Sequence, residues 1–579
     1  MIRHPYKLVC GIAVAFLAIR SIPLHAAEPQ WNKHSDVMVA MPDGINLAAD
    51  IYLPRTGDRF PTIFTRTPYD KKAKEQLLVP ALTAAGYAVV LQDVRGMNAS
   101  QGTFIPFLFE KPDGLASLEW ISRQSWCDGR IGMWGSSYPG FCALLLAPED
   151  PPNLKAIFSI SGWGNSADLI APGGALHLML GLPWCLSPQI LGNGSFGSIN
   201  WNEAFRHLPV SEIPSSMGLA SPAWTGVLGL SAGDRLRKEA SITDRLDQVR
   251  VPIMHVTGWH DFVARHTLDV YSGIDRAAKG AKTQELVVGP WRHDQIWTKA
   301  TKIGDEDFGP SSVWGVEKSM SLAVQWFDRH VQGRVGEAGK PVRLFVMGVN
   351  EWREFDAWPP RNVELQKWFL HSDGHANGAS GDGRLSTHGP ITEGRDQFLF
   401  DPLNPVPTLG GVNFHFFPDN LGVKDQRTIE QREDVLVYTS QQLEESLTII
   451  GPLAATLFAA SEGKQTDFTV KLVEVRADGY ARIIEEGIRR GPDPVNGGPA
   501  AEMVPTQTYR FSVDLGTTAI VIPKGNRLRV EVSSSNFPKY TRNPNTGATP
   551  ETATEFVTVM QTVFHSAQHP SHFILPVAR

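Results

Sequence analysis

Short apolar runs alternate with helix-like stretches between Phe60 and Trp291, and that alternation restricts the fold more than any other feature of the chain. The runs are "FPTIF", "GYAVVLQDVRG", "RIGMWGSS", "KAIFSISG", "VPIMHVTGW" and "QELVVGPW", with "EQLLVPALTAAG" and "DGLASLEWISRQ" among the stretches between them. Strands that read as unbroken apolar runs are buried on both faces, and helical crossovers between them imply a mostly parallel sheet. Ahead of them, "DVMVAMPDGINLAADIYLP" alternates about a Pro-Asp-Gly turn and predicts a hairpin. The alternation stops from 164 to 245, a Gly-, Trp-, Pro- and Leu-rich interval that predicts an inserted helical cap. From 365 onward "DVLVYTS", "TDFTVKLVEV" and "GNRLRVEVSSS" set Leu528, Val530 and Val532 against Arg527, Arg529 and Glu531. That period of two predicts a C-terminal antiparallel β-sandwich, a jelly roll, over 365–579. The sheet domain then comprises 27–163 and 246–364.

The stretch "RIGMWGSSYPGFCALLLA" places a serine on a sharp turn between a strand and a helix, where an α/β-hydrolase displays its nucleophile. Gly135 stands two residues before Ser137 and leaves room for helix and strand backbone to approach, so Ser137 is the candidate nucleophile, and Ser136 should point the other way. Pro139 suits a first helical turn, where its missing N–H costs nothing. It also stands where a G-x-S-x-G motif would carry its last glycine. A serine hydroxyl needs a histidine to take its proton, and the histidine needs an acid to set its tautomer. Both should follow the serine in chain order, each just past a strand. Asp261 after "VPIMHVTGWH" and His293 after "QELVVGPWR" meet that requirement, with His260 and Asp294 as loop neighbours of bland role. The Tyr138 backbone N–H is one candidate oxyanion donor, and Tyr69 ends an earlier strand where the second donor should arise. Trp163, Trp259 and Phe262 are candidate substrate-lining residues.

Composition narrows the partners. A net charge of −6 without a basic run, and the lack of a P-loop or strand-linked G-x-G-x-x-G, argue against nucleic acid or nucleotide. No cysteine or histidine cluster has zinc spacing, and neither metal nor cofactor is expected. "MIRHPYK", the apolar "LVCGIAVAFLAI" and "PLHAAEPQ" form the pattern of a secretory signal peptide, cut after Ala26 or Ala27. A periplasmic or secreted protein without stable membrane insertion is the expectation, and a homo-oligomer is compatible with it. Cys127, Cys142 and Cys185 then remain, an odd count that allows at most one disulfide.

"RTPYDK", "QDVRG", "WCDGRIGMWGSSYPG", "GWHD" and "VVGPWRH" together resemble the cocaine-esterase and glutaryl-acylase (CocE/NonD) family of serine hydrolases, related to X-prolyl dipeptidyl-peptidases. "DPLNPVPTLGG", "GPLAATLFAAS" and "RLRVEVSSSNFP" resemble that family's jelly-roll domain. The resemblance implies Ser137 as nucleophile, Asp261 as acid, His293 as base, and the Tyr69 phenol as an oxyanion donor beside the Tyr138 N–H. One departure stands out: relatives acting on α-amino acid esters carry acidic residues shortly after the acid, whereas this chain has Phe262, Val263 and Ala264. No ammonium anchor is visible there. The expected function is therefore hydrolysis of esters, or amides, with an apolar acyl group. The alternatives are an X-Pro dipeptidyl-peptidase or peptide acylase and, from another class, a silent carbohydrate- or surface-binding protein.

Overall fold

The computed structural model describes residues 30–190, 198–232, 238–277, 284–335, 339–414, 417, 420–494 and 502–578. The expected signal peptide lies outside the described residues. Among those residues no helix is long and apolar enough to cross a membrane.

Ten strands form the first sheet, in the order β1-β2-β4-β3-β5-β6-β7-β8-β11-β12. They are β1 (Trp31–Ala40), β2 (Asn46–Pro54), β3 (Phe60–Thr67), β4 (Ala88–Asp93), β5 (Cys127–Ser136) and β6 (Leu154–Ile160). Next come β7 (Ile253–Gly258), β8 (Gln284–Gly289), a two-residue ribbon β9 (Lys302–Ile303) and β10 (Glu306–Asp307), then β11 (Val342–Val346) and β12 (Glu351–Phe355). From β4 to β11 neighbouring strands run parallel, while the β1–β2 hairpin and β12 add antiparallel edges. Every residue of β3, β4 and β7 is buried, which is why these strands read as continuous apolar runs. The exposed edge strand β1 instead carries Asn32, Lys33, His34 and Asp36.

Helices cover both faces. Glu75–Ala84 and Gly315–His330 share one apolar core with β4 and β6, through Leu78, Leu82, Trp326 and Phe327. Glu110–Ser122, Tyr138–Leu144 and Ala264–Ala277 lie on the other face, continuous with the helices inserted between β6 and β7. The ends of that insertion meet at an antiparallel bridge between Asn165 and Ser241. Within it, Leu178–Ile190 and Pro222–Ala232 pack on each other, supplying Leu182, Leu186, Trp224 and Val227 to the core.

Eleven further strands between Val363 and Ala578 form a second, mainly antiparallel sheet. Each contributes side chains to one apolar core, so the sheet closes on itself as a sandwich does. That core also takes in Leu286, Val288 and Phe345 of the first sheet, so the two sheets share apolar interior rather than a polar seam. Cys127, Cys142 and Cys185 are all buried and free.

Candidate active site

The chain leaves β5 at Ser136 and turns into the helix Tyr138–Leu144 through a single residue, Ser137, with φ 63° and ψ −128°. A non-glycine residue in that region is strained, and such strain collects where a side chain must be presented. A Cβ at Gly135 would stand 2.2 Å from the Pro139 backbone, so only glycine fits two residues before the turn. The Ser137 N–H donates to the Ile160 carbonyl (2.8 Å) at the end of β6, and the Ser137 carbonyl accepts from Phe141 (3.0 Å). Ser136, expected to point the other way, is among the residues that line the same cavity as Ser137.

Asp261 and His293 follow β7 and β8 at the same ends of the sheet. The His293 Nδ1 lies 2.9 and 3.1 Å from the two Asp261 carboxylate oxygens. A nitrogen facing a carboxylate holds its proton there, which leaves Nε2 as the basic position. The buried Asp261 carboxylate also accepts from the Ser161 hydroxyl (2.5 Å) and the Val263 N–H (3.1 Å). Ser161 is a positioning group that sequence reading missed. It follows β6 with φ 50°, and its N–H is held by the Val256 carbonyl (2.7 Å).

Tyr69, Ser137 and His293 line one cavity of about 450 Å³, within the usual range for a small-molecule site. Tyr69 keeps 37 % of its surface exposed, while its hydroxyl accepts from the Trp184 indole N–H at 3.0 Å. Burial pushes the phenol up to about 12, against the downward pull of hydrogen bonds with Trp184 and Ser137. A phenol that accepts from an indole keeps its own proton free to donate. Tyr138 opens its helix, so its N–H is one of the first-turn donors without an intrahelical acceptor. Its side chain is structural: the hydroxyl donates to Glu110 (2.8 Å) and accepts from the Phe107 N–H (2.9 Å). Glu110 in turn pairs with the fully buried Arg66 at 2.8 Å.

Of the expected lining residues, Trp163 and Phe262 are in the cavity wall. The Trp163 ring stacks on Phe141 at 5.2 Å, and the Phe262 ring lies 4.6 Å from the His293 ring. Trp259 is not in that wall. Its indole donates to the Phe345 carbonyl (2.7 Å) and packs 5.7 Å from Trp358, inside the core shared with the second sheet. The apolar interior of the sheet-to-sheet junction claims it. Among the lining residues that escaped sequence reading are Lys74, Phe107, Trp184 and Phe414. The Trp184 ring lies against both Phe107 (5.9 Å, 9°) and Tyr138 (5.7 Å, 20°), which also pack on each other at 5.4 Å, and Phe414 meets Phe262 edge-on at 5.6 Å. Asp294 lines the cavity but is engaged by Arg292 at 2.8 and 3.2 Å, and His260 is buried and pushed down to about 3 by that burial, with Arg482 and Arg292 adding to it. Among the described residues no cluster of metal-ligating side chains occurs.

An α/β sheet with an acid-supported histidine and a serine on a sharp strand-to-helix turn defines the chain's class, a serine hydrolase of α/β-hydrolase fold with a C-terminal sheet domain. The chain belongs to the cocaine-esterase (CocE/NonD) family of serine hydrolases, which is related to the X-Pro dipeptidyl-peptidases. Residues 43–295 match the family described as X-Pro dipeptidyl-peptidase (S15 family), and 334–574 match the X-Pro dipeptidyl-peptidase C-terminal non-catalytic domain. It is 34% identical to the cocaine esterase of Rhodococcus sp. (strain MB1 Bresler), over 94% of this chain and 98% of that one. Two solved structures share the fold. An aminopeptidase from a Thaumarchaeota archaeon superposes with a TM-score of 0.80 (22% identity, 95% and 97% of the two chains). An α-amino acid ester hydrolase gives 0.78 (23% identity, 98% and 100%).

Proposed function

We propose that this serine hydrolase cleaves carboxylic esters with an apolar acyl group through an acyl-enzyme on Ser137. The observation that carries the reading is one aromatic-walled cavity holding Tyr69, Ser137 and His293, with Asp261 bonded to the far side of the imidazole. The Ser137 Oγ attacks the ester carbonyl and His293 Nε2 takes the hydroxyl proton. The Tyr69 phenol and Tyr138 N–H donate to the oxyanion. Collapse breaks the bond to the leaving alkoxide, which takes the proton from His293. Water, deprotonated by the same imidazole, then releases the acid and restores Ser137.

The peptidase alternative needs a carboxylate for a free amine. Phe262, Val263 and Ala264 follow Asp261, and the one lining carboxylate, Asp294, is held by Arg292, which favours esters. We also infer export, supported by the basic, apolar and small-residue order of the first 27 residues. Stopped-flow with p-nitrophenyl butyrate and an X-Pro p-nitroanilide tests the main reading. A burst on the ester, lost in Ser137→Ala and absent with the anilide, is expected; turnover of the anilide alone would overturn it.

A further inference from the structure

The run Lys71-Lys72-Ala73-Lys74 after Tyr69 contains two lysines with opposite fates. Lys71 is buried and pairs with Asp36 (2.7 Å), Asp93 (3.2 Å) and Asp50 (3.6 Å). Lys74 faces the cavity of Ser137, and among the described residues its ammonium has no carboxylate partner. Its sole charged-group contact is with the Tyr69 ring, 5.8 Å from the centroid. Burial pushes the Lys74 ammonium below its usual 10.5, and no neighbouring acid offsets it. A half-buried ammonium in a cavity wall, with no carboxylate beside it, is placed to receive an anion that enters the cavity. Asp294, the other lining residue of fixed charge, is already neutralised by Arg292.

Exposure assigns the two ends of the cavity different tasks. Phe107, Trp163, Leu169, Ile170, Leu180 and Phe414 are buried and apolar, the environment an apolar acyl chain selects. Tyr69, Lys74, Asp294 and Trp297 are half-buried or exposed and form the wetter end. A charged group placed there keeps part of its hydration, whereas at the apolar end it would lose all of it.

We propose that Lys74 recognises a carboxylate on the leaving group, so that the substrates are acyl esters of hydroxy acids. The proposal rests on the esterase reading and refines it. The carboxylate would accept from the Lys74 ammonium while the acyl chain fills the aromatic end. Hydrolysis would then release an apolar acid and a hydroxy acid, each taking its share of the added water.

The test pairs each anionic ester with its methyl-ester isostere. The leaving-group pair is 4-(butyryloxy)benzoate and its methyl ester, and the acyl pair is p-nitrophenyl hydrogen adipate and its methyl ester. Charge-assisted recognition should make kcat/KM of the first pair favour the anion by at least about tenfold in low salt. Lys74→Met should remove that ratio and Lys74→Arg should keep it. If Lys74→Met instead changes only the adipate ratio, the carboxylate sits on the acyl side and the proposal is overturned. Unchanged ratios in both pairs overturn it as well. Thermal melts establish that each variant is folded. Ser137→Ala separates the two readings: it stops all four substrates if the esterase reading holds, whatever Lys74 does.

Discussion

Among the described residues, one group of serine, histidine and aspartate lies beside each sheet, Ser137, His293 and Asp261 by the first and Ser372, His565 and Asp396 by the second, and their bonding differs. In the first sheet Asp261 bonds His293 at Nδ1, and the opposite nitrogen is left to the cavity side. In the second sheet the same imidazole nitrogen of His565, Nε2, lies 2.9 Å from Asp396 and 3.0 Å from the Ser372 hydroxyl. Ser372 also donates directly to Asp396 at 2.7 Å, and the Tyr438 phenol does so at 2.8 Å. Its proton is therefore committed to the acid and cannot pass through the ring. The difference teaches that a triad is defined by which ring nitrogen meets which partner, not by residue types in proximity. The electrostatics diverge accordingly. Burial would raise the Asp396 carboxyl, but bonds from His565, the Ala376 N–H, Ser372 and Tyr438 outweigh it and hold the group below the usual carboxylate range. Such a group stabilises the fold above its unfolded pKa and loses that contribution as pH falls through the folded one.

The largest expected effect comes from treating the two acids alike. Asp261→Asn should lower kcat/KM on p-nitrophenyl butyrate by about 10⁴-fold, because the imidazole tautomer is no longer set. Asp396→Asn should leave the rate within about twofold and cost about 2–3 kcal/mol in urea unfolding, since one buried acceptor now presents an amide to several donors. A rate loss in Asp396→Asn comparable to that of Asp261→Asn would break the comparison. Next, Tyr69→Phe should lower kcat by about 10²- to 10³-fold, the usual cost of one oxyanion donor. With the Tyr69 phenol raised to about 12, rates should also show no alkaline fall from this group through pH 10. A wild-type rate in Tyr69→Phe would remove the phenol from the mechanism.

The smallest effect uses a histidine of a third kind, with no carboxylate at all. His255 is buried in β7, its Nε2 2.8 Å from the Gln284 amide oxygen, and burial pushes it down to about 4. Below pH 6.5 the unfolded chain binds a proton there that the folded chain does not, so stability falls as pH falls. Between pH 7 and pH 4.5 this should cost about 2 kcal/mol in urea unfolding, and His255→Gln should flatten that slope. An unchanged slope would show that acid sensitivity arises elsewhere.

Sequence reading reached the sheet, and it could single out Ser137, Asp261 and His293 as candidates, because those signals are local. A strand, a turn and a helix start are each written in consecutive residues, and chain order supplies the rest. It failed where a side chain's surroundings come from remote segments. Trp259 sits beside Asp261 in sequence, yet Phe345 and Trp358, some hundred residues on, decide that it is core. Lys74 lies in a lysine-rich run that reads as solvated surface, and nothing local separates it from Lys71, whose partners Asp36, Asp50 and Asp93 come from three strands, β1, β2 and β4. Trp184 has no signal within the helix Leu178–Ile190, which is apolar along most of its length. The signal for Ser161 is a serine just past a strand beside the one that bears the acid, but its positive φ is not written in its neighbours.

Phe414 belongs to the part of the chain matched by a domain described as non-catalytic, and it closes the wall beside Phe262. The candidate catalytic residues and part of the cavity wall beside them thus sit in different domains of the chain. A graft of the C-terminal module from one relative onto the hydrolase of another would keep the chemistry and carry in a new substrate filter, with no substitution among the residues that follow β5, β7 and β8.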